Sequence, residues 1–418
     1  MATLAEVLRR CGPTFLREHP LSTCQAKASV RRALCACRTK ALGGQRLACS
    51  TSGHSHWHYH SCRIRGGGPS PKGRHCPQCG ARAKDAWLRG RLAEVLDVPY
   101  AHLIFTLPHQ LGSLYRSQPR WVIDTLFASV ASTLNEFAAN PGWMGVPGGQ
   151  AAFSLMLHTW SQDRRQHLHL HAVMACGVLG PEGRDEQDRA WQVPIRKPDF
   201  LLPVHALSRV FRGHFMAALK ALADTDTDTH APQQIEDANL GLEGRKALYR
   251  HDWVVYAKTP LGRPAQVLTY LSRYTHRTAI GNERIKAITP DGDVIFSVRA
   301  DDCGGKRQVR LAGDEFIRRF LLHVLPTGIK RIRHYGVLAN GCKKTQLQLA
   351  RQALGQAAPD KPAREAACAF MARVAQIDLR RCPHCKTGQL QVVQTLARRP
   401  QLPRPGSGFA GVQARGPL

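Results

Sequence analysis

The chain has 418 residues, with 59 Lys plus Arg against 30 Asp plus Glu, a formal net charge of +29 at pH 7 and a pI near 10.2. That length predicts two or three domains around a sizeable core, and a charge spread along the whole chain calls for a polyanionic partner, nucleic acid first. A membrane role is excluded by the lack of a basic amphipathic helix, a polybasic tail or an apolar run of about 18 residues, and the first residues, Met1 to Glu6, lack a signal-peptide layout, so the expected location is cytoplasmic. In a reducing compartment the fourteen cysteines predict metal ligands or buried thiols, not disulfides.

Eight cysteines precede residue 80: Cys11, Cys24, Cys35, Cys37, Cys49, Cys62, Cys76 and Cys79. Cys76-Pro77-Gln78-Cys79-Gly80 is a knuckle whose tight turn lets two thiolates grip one Zn²⁺, and the best-placed thiols to complete the tetrahedron are Cys37, Cys49 and Cys62. Ser52 stands where a second CxxC pair with Cys49 would end. His54, His56, His58 and His60 read as solvated or base-contacting side chains, and the stretch from Arg65 to Gly73 as a loop. The apolar spacing from Asp85 to Leu96 predicts a helix that Pro99 ends.

Tyr100 to Pro108 reads as a strand, Trp121 to Ala139 as a helix, and Phe153 to Trp160 as a second strand, followed by a polar turn, Ser161 to Arg165. In the next segment, Gln166 to Met174, histidine alternates with leucine. On a strand, His167, His169 and His171 then share one face while Leu168 and Leu170 bury the other, and imidazoles ~6.6 Å apart can converge on one divalent ion. The alternatives are a polar strand face, or a helix that aligns only His167 and His171. A short antiparallel hairpin would bring His158 beside His169 and His171 if the register allows, as a further ligand or as a satisfied core histidine.

A charged loop after Gly177, a helix from Leu207 to Ala221, and an Asp-Thr linker at 224–229 follow. His251 to Lys258 reads as a strand, Thr259 to Pro264 as a turn, and Ala265 to Arg277 as a helix. That helix carries Tyr270 and Tyr274 one turn apart on one face, flanked by the phosphate-binding groups Arg273, His276 and Arg277. A tyrosine pair at this spacing is also what a core face would show. Further on, Glu283 to Thr289 and Val294 to Ala300 predict a hairpin. Lys330, Arg331 and Arg333, interleaved with Tyr335, suit phosphate contact and base stacking, with a solvated basic face as the bland alternative. Cys382-Pro383-His384-Cys385 is a second knuckle that His384, Cys368 or an N-terminal thiolate could complete, and the tail after Ala397 reads as disordered.

These parts suit phosphoryl transfer. An ordinary phenol, pKa near 10, is a weak nucleophile, so attack by tyrosine on a phosphodiester needs a divalent ion to polarise the phosphate. The segment HLHLHAVM resembles the His-hydrophobe-His motif, and Tyr270 to Arg277 the paired-tyrosine motif, of the two-tyrosine HUH transposases. More narrowly, the chain resembles the rolling-circle transposases of insertion sequence ninety-one. The resemblance implies an α+β protein with a ferredoxin-like antiparallel sheet, His169 and His171 as ligands of Mg²⁺ or Mn²⁺, Tyr270 and Tyr274 as nucleophiles, and single-stranded DNA at transposon ends and target as substrate. Residues 1–97 are expected to form a Cys-rich zinc-binding DNA-binding module, 98–350 the nuclease domain, and 351–418 a basic extension. Ser52 and the loop at 65–73 depart from the family pattern. No GxxxxGK[ST] motif occurs, so strand unwinding would fall to a host helicase. The competing reading is a non-catalytic zinc-dependent nucleic-acid-binding protein or a degenerate transposase copy.

Overall fold

The computed structural model describes residues 2–20, 24–62, 64–65, 68–69, 75–144, 146–161, 166–181, 189–194, 202–224, 235, 238, 240–261, 280–299, 305–360, 363 and 365–398. Its longer strands, in chain order, are β1 (Gly44–Cys49), β2 (Ser55–Tyr59), β3 (Tyr100–Thr106), β4 (Gln150–Trp160), β5 (Gln166–Leu179), β6 (Val255–Leu261), β7 (Ile285–Ile288), β8 (Val294–Arg299), β9 (Lys306–Leu311), β10 (Ile332–Gly336) and β11 (Leu390–Leu396). The chain forms two compact units, Met1–Cys35 with Lys72–Ala367, and Ala36–Pro71 with Cys368–Leu418. Among the described residues no helix is long and apolar enough to cross a membrane.

The first unit is built on an antiparallel sheet in the order β10-β4-β5-β3-β6, with the short strand Trp191–Gln192 beside β5. Read along the chain, β3, the helix Pro119–Ala139, β4, β5, the helix Val204–Ala223 and β6 make a β-α-β-β-α-β unit, the ferredoxin-like arrangement, with β10 added on the β4 edge. Both helices lie on one sheet face. Pro119 starts the first with a φ suited to a helical first turn. It buries Val122, Ile123, Leu126, Phe127, Val130 and Leu134, and the second buries Leu207, Phe211, Phe215 and Leu219, each set at helical spacing. Against them the strands turn Leu103, Phe105, Phe153, Leu155, Leu157, Leu168 and Leu170, all inaccessible or nearly so. Each such side chain contributes about 1.5–3 kcal/mol when buried, so this layer fixes which face every strand residue takes.

The opposite face is divided. Toward the Tyr100 end a smaller core of Leu96, Val98, Met156, Val173, Val337, Leu347 and Ala350 covers it, partly through the helix Lys343–Ala353. Toward the other end the same face carries histidines. The remainder of this unit includes the antiparallel sheet β7-β8-β9, in which buried Phe296 meets Phe316 of the helix Gly313–Leu322 edge to face, with ring centroids 5.4 Å apart. Cys11, at the end of the helix Leu4–Arg10, donates to the Gly292 carbonyl at 3.4 Å, and His19 lies 3.2 Å from Asp314.

In the second unit β1 pairs with β2 on one side and with β11 on the other. The units therefore differ from the intervals 1–97, 98–350 and 351–418: residues 2–20 pack with the helix Gly313–Leu322, and the segment expected as an extension supplies a strand to a sheet begun near residue 44. Pairing over such separations leaves no local sequence pattern. Smaller differences have local causes. The expected strand from His251 begins only at Val255, because Trp253 donates its indole N–H to the Leu248 carbonyl and accepts at its own carbonyl from Ser208. The helix expected over 85–96 runs Ala81–Leu92. Ile64–Arg65 and Gly68–Pro69 pair within the expected loop. The tyrosine helix, the Asp-Thr linker at 225–229 and the tail beyond 398 lie outside the described residues.

Gly336, which ends β10, has φ +57, and a Cβ built there would collide with the Ala151 carbonyl oxygen of β4. Gly336→Ala is therefore expected to lower unfolding free energy by about 1–3 kcal/mol, read by urea titration. An unchanged midpoint would show that the β10–β4 contact is not under this constraint.

Candidate metal and strand-cleavage site

The hairpin β4–β5 sets the site. His158 pairs directly with His169, Met156 with His171, and Leu157 with Leu170. Because cross-strand partners share a face, burial of Leu157 and Leu170 against the helices forces His158, His169 and His171 together on the other side. Their ring centroids lie 5.2 Å (His158 to His169), 4.3 Å (His158 to His171) and 5.1 Å (His169 to His171) apart. One nitrogen from each lies within 4.8 Å of the others, a spacing that suits three ligands of one cation.

Hydrogen bonds select which nitrogens face the cluster. His169 Nδ1 lies 3.1 Å from the His167 carbonyl oxygen, an acceptor only, so Nδ1 carries the proton and Nε2 keeps its lone pair. His171 Nδ1 lies 2.8 Å from Nε2 of His102, a fully buried ring on β3 stacked on it with centroids 5.1 Å apart. Donation of that bond by His171 would leave its Nε2 as the nitrogen with a lone pair to offer a metal. An Nδ1–H held by an outer partner is the usual arrangement of a metal-ligating imidazole. Desolvation, helped by neighbouring imidazoles, pushes the His169 pKa down to about 4 and that of His171 to about 2. Both rings are neutral at pH 7, the state that ligation requires. The residues present thus fit a divalent cation.

Beyond the cluster, His158 stacks on Trp160 with centroids 5.0 Å apart, and the Arg331 guanidinium lies 4.8 Å from the Trp160 ring centroid. Thr159 Oγ1 meets His323 Nδ1 at 3.3 Å. The cation–π contact steadies the surface on which His158 rests.

Of the other residues singled out in the sequence, Lys330 is exposed, whereas Arg331 is buried and Arg333 is ion-paired with Asp124 and packed over Phe127. These two arginines are engaged inside the fold. His167 is exposed at the start of β5. Cys37 and Cys62 are buried in the second unit, and Cys76 is buried and Cys79 half-buried in the first. Cys49 has the Cys385 sulfur 3.6 Å away, which separates it from the other N-terminal thiols with which the sequence groups it. Tyr270, Arg273, Tyr274, His276 and Arg277 lie outside the described residues. Sequence reasoning missed His102. The alternation Tyr100, His102, Ile104, Thr106 puts it on the histidine face, but only the β3–β5 register shows that it reaches His171.

The buried neutral ring of His171 has a consequence for the metal-free protein. Its folded-state pKa lies below the ordinary 6.5, so as pH falls through that value the unfolded chain takes up a proton that the folded chain refuses. Unfolding free energy in chelator should drop by up to about 1.4 kcal/mol per pH unit below that point, and His171→Asn should flatten the slope. Equal slopes in the two proteins would remove His171 as the source.

Residues 152–346, which include all three clustered histidines and both tyrosines, match the family model described as a putative transposase, and residues 7–107 match that of a transposase zinc-binding domain. The chain is 37% identical over 401 residues to the putative transposase y4qJ of Sinorhizobium fredii, covering 94% of each protein. It is 25% identical over 361 residues to the transposase for insertion sequence element IS801 of Pseudomonas savastanoi pv. phaseolicola, covering 84% of this chain and 79% of that protein. No solved structure is significantly similar. A zinc-binding domain followed by a transposase domain, with relatives along nearly the whole length, identifies the chain as a member of the IS91 family of transposases.

Proposed function

We propose that this transposase cuts and rejoins single-stranded DNA at transposon ends and target through a covalent phosphotyrosine, as rolling-circle transposition requires. The observation that carries the reading is the convergence of three imidazoles, His158, His169 and His171, within the segment that also contains the tyrosine pair. His158, His169 and His171 would hold a divalent cation, Mg²⁺ or Mn²⁺, which when bound supplies Lewis-acid polarisation of the scissile phosphate. The chain's own chemistry is nucleophilic. The hydroxyl oxygen of Tyr270 or Tyr274 attacks phosphorus in line, and the Tyr O–P bond forms as the P–O3′ bond breaks. The phenolic proton passes to solvent and the departing 3′ oxygen takes one up. The ester conserves the bond energy, so a 3′ hydroxyl can later displace the tyrosine and restore the diester. Two tyrosines allow a second cleavage before the first intermediate is released.

Arg273, His276, Arg277 and the exposed Lys330 would meet the phosphates of the bound strand. Cysteines of the segment matched by the zinc-binding model, with the Cys76–Cys79 knuckle among them, would hold a structural Zn²⁺. Strand separation would come from a host helicase, with the protein on DNA in the cytoplasm.

Labelled single-stranded terminal DNA with Mn²⁺ should give a covalent protein–DNA adduct on denaturing gels. Tyr270→Phe with Tyr274→Phe should abolish it and leave DNA affinity unchanged. A free 5′ phosphate with no adduct would make the protein a simple metallohydrolase, and binding without cleavage a zinc-dependent binder. A second test addresses His102 as a positioning residue. Its replacement by Phe should weaken Mn²⁺ binding about 10–100-fold by calorimetry, whereas Gln, which retains an acceptor, should largely restore it. Equal loss in both variants would reduce His102 to a packing role.

A further inference from the structure

We infer that Cys49, Cys382 and Cys385 form a zinc site of their own, with three thiolates and an oxygen ligand at the fourth position. The three sulfurs lie within 4.8 Å of one another, all in the second unit, although 333 residues separate Cys49 from Cys382 in sequence. Cys49 Sγ and Cys385 Sγ are 3.6 Å apart, and no Asp, Glu or further His or Cys among the described residues completes the group.

The backbone around these sulfurs is arranged as thiolate ligands require. Cys49 Sγ accepts from the backbone N–H of Thr51 and of Ser52, each at 3.4 Å, and Cys385 Sγ accepts from that of Gly388 at 3.3 Å. N–H groups directed at sulfur stabilise its anionic form. Lys386, directly after Cys385, has φ +61, so the chain turns back sharply round the knuckle. Gly388 shows how tightly the two ends meet, since a Cβ there would collide with Cys49 Sγ.

Ser52 supplies the oxygen. It stands three residues after Cys49, where a second CxxC pair would place a thiol, and its Oγ lies 3.7 Å from Cys382 Sγ. The fourth ligand is thus the Ser52 hydroxyl or a water beside it. A tetrahedral S₃O site is less saturated with soft donors than S₄, so it should release zinc more readily. Its structural effect is specific. Cys49 ends β1 and the Cys382–Cys385 knuckle precedes β11, so the ion would clip the C-terminal strand onto the sheet that β1 begins.

The test uses the full chain and needs no DNA. Native mass spectrometry should find one zinc fewer in Cys382→Ser/Cys385→Ser than in the wild type, and equal metal counts would overturn the site. A disulfide in place of zinc would appear as a wild-type mass lowered by two hydrogens with no difference in metal, which overturns it equally. Ser52→Cys, a change of one atom in the side chain, reads the fourth ligand directly. In the cobalt-loaded protein it should shift the d–d bands toward the four-thiolate pattern, and it should slow zinc loss to a competing chelator by about tenfold or more. A cobalt spectrum and chelator rate unchanged by Ser52→Cys would contradict the assignment. These readouts are independent of strand cleavage, so they stand or fall apart from the proposed nuclease reaction.

Discussion

The structure of the first unit depends on one registration: Leu157 opposite Leu170, with His158 consequently opposite His169. The leucines are driven into the helical layer by hydrophobic burial, and the pleat then leaves the histidines no choice of side. A slip of β5 by one residue would put His169 and His171 into an apolar core and Leu168 and Leu170 on the side of the candidate site. The cost of such a slip, several buried side chains at once, makes the arrangement well specified without any metal present.

That specification has an electrostatic counterpart. Burial and neighbouring imidazoles oppose protonation of His169 and His171. Those two rings therefore stand as preorganised neutral lone pairs, with His158 packed against both. Ring orientation is set from outside the cluster, by a carbonyl of the same strand at His169 and by a histidine of the adjacent strand at His171. The net charge of +29 acts at longer range, favouring association with a polyanion without selecting a particular site on it.

Much of this was legible in the sequence, for reasons tied to particular residues. The alternation at 166–172 displays a strand with one wet and one dry face, and Val122 to Leu134 or Leu207 to Leu219 display helical periodicity, because local spacing follows local geometry. The β7–β8 hairpin followed from the same signals, and the ferredoxin-like α+β class from the family resemblance. His102 and the partners of Cys49 were hidden, since each depends on pairing between segments far apart in the chain. The roles of Arg331 and Arg333 were hidden for another reason: a basic run reads the same whether its side chains meet phosphate or, as here, Trp160 and Asp124. The start of β6 was misplaced because the side-chain bonds of Ser208 and Trp253 override the propensity of a β-rich stretch.

Strand register alone is sufficient to assemble a three-histidine cation site. Pulsed electron paramagnetic resonance of Mn²⁺ bound to the DNA-free protein measures this directly, through couplings of the metal to imidazole nitrogen. Three coupled imidazoles are expected, reduced to two by His158→Ala and likewise by His171→Ala. A spectrum without imidazole coupling, or one that those substitutions leave unchanged, would contradict it.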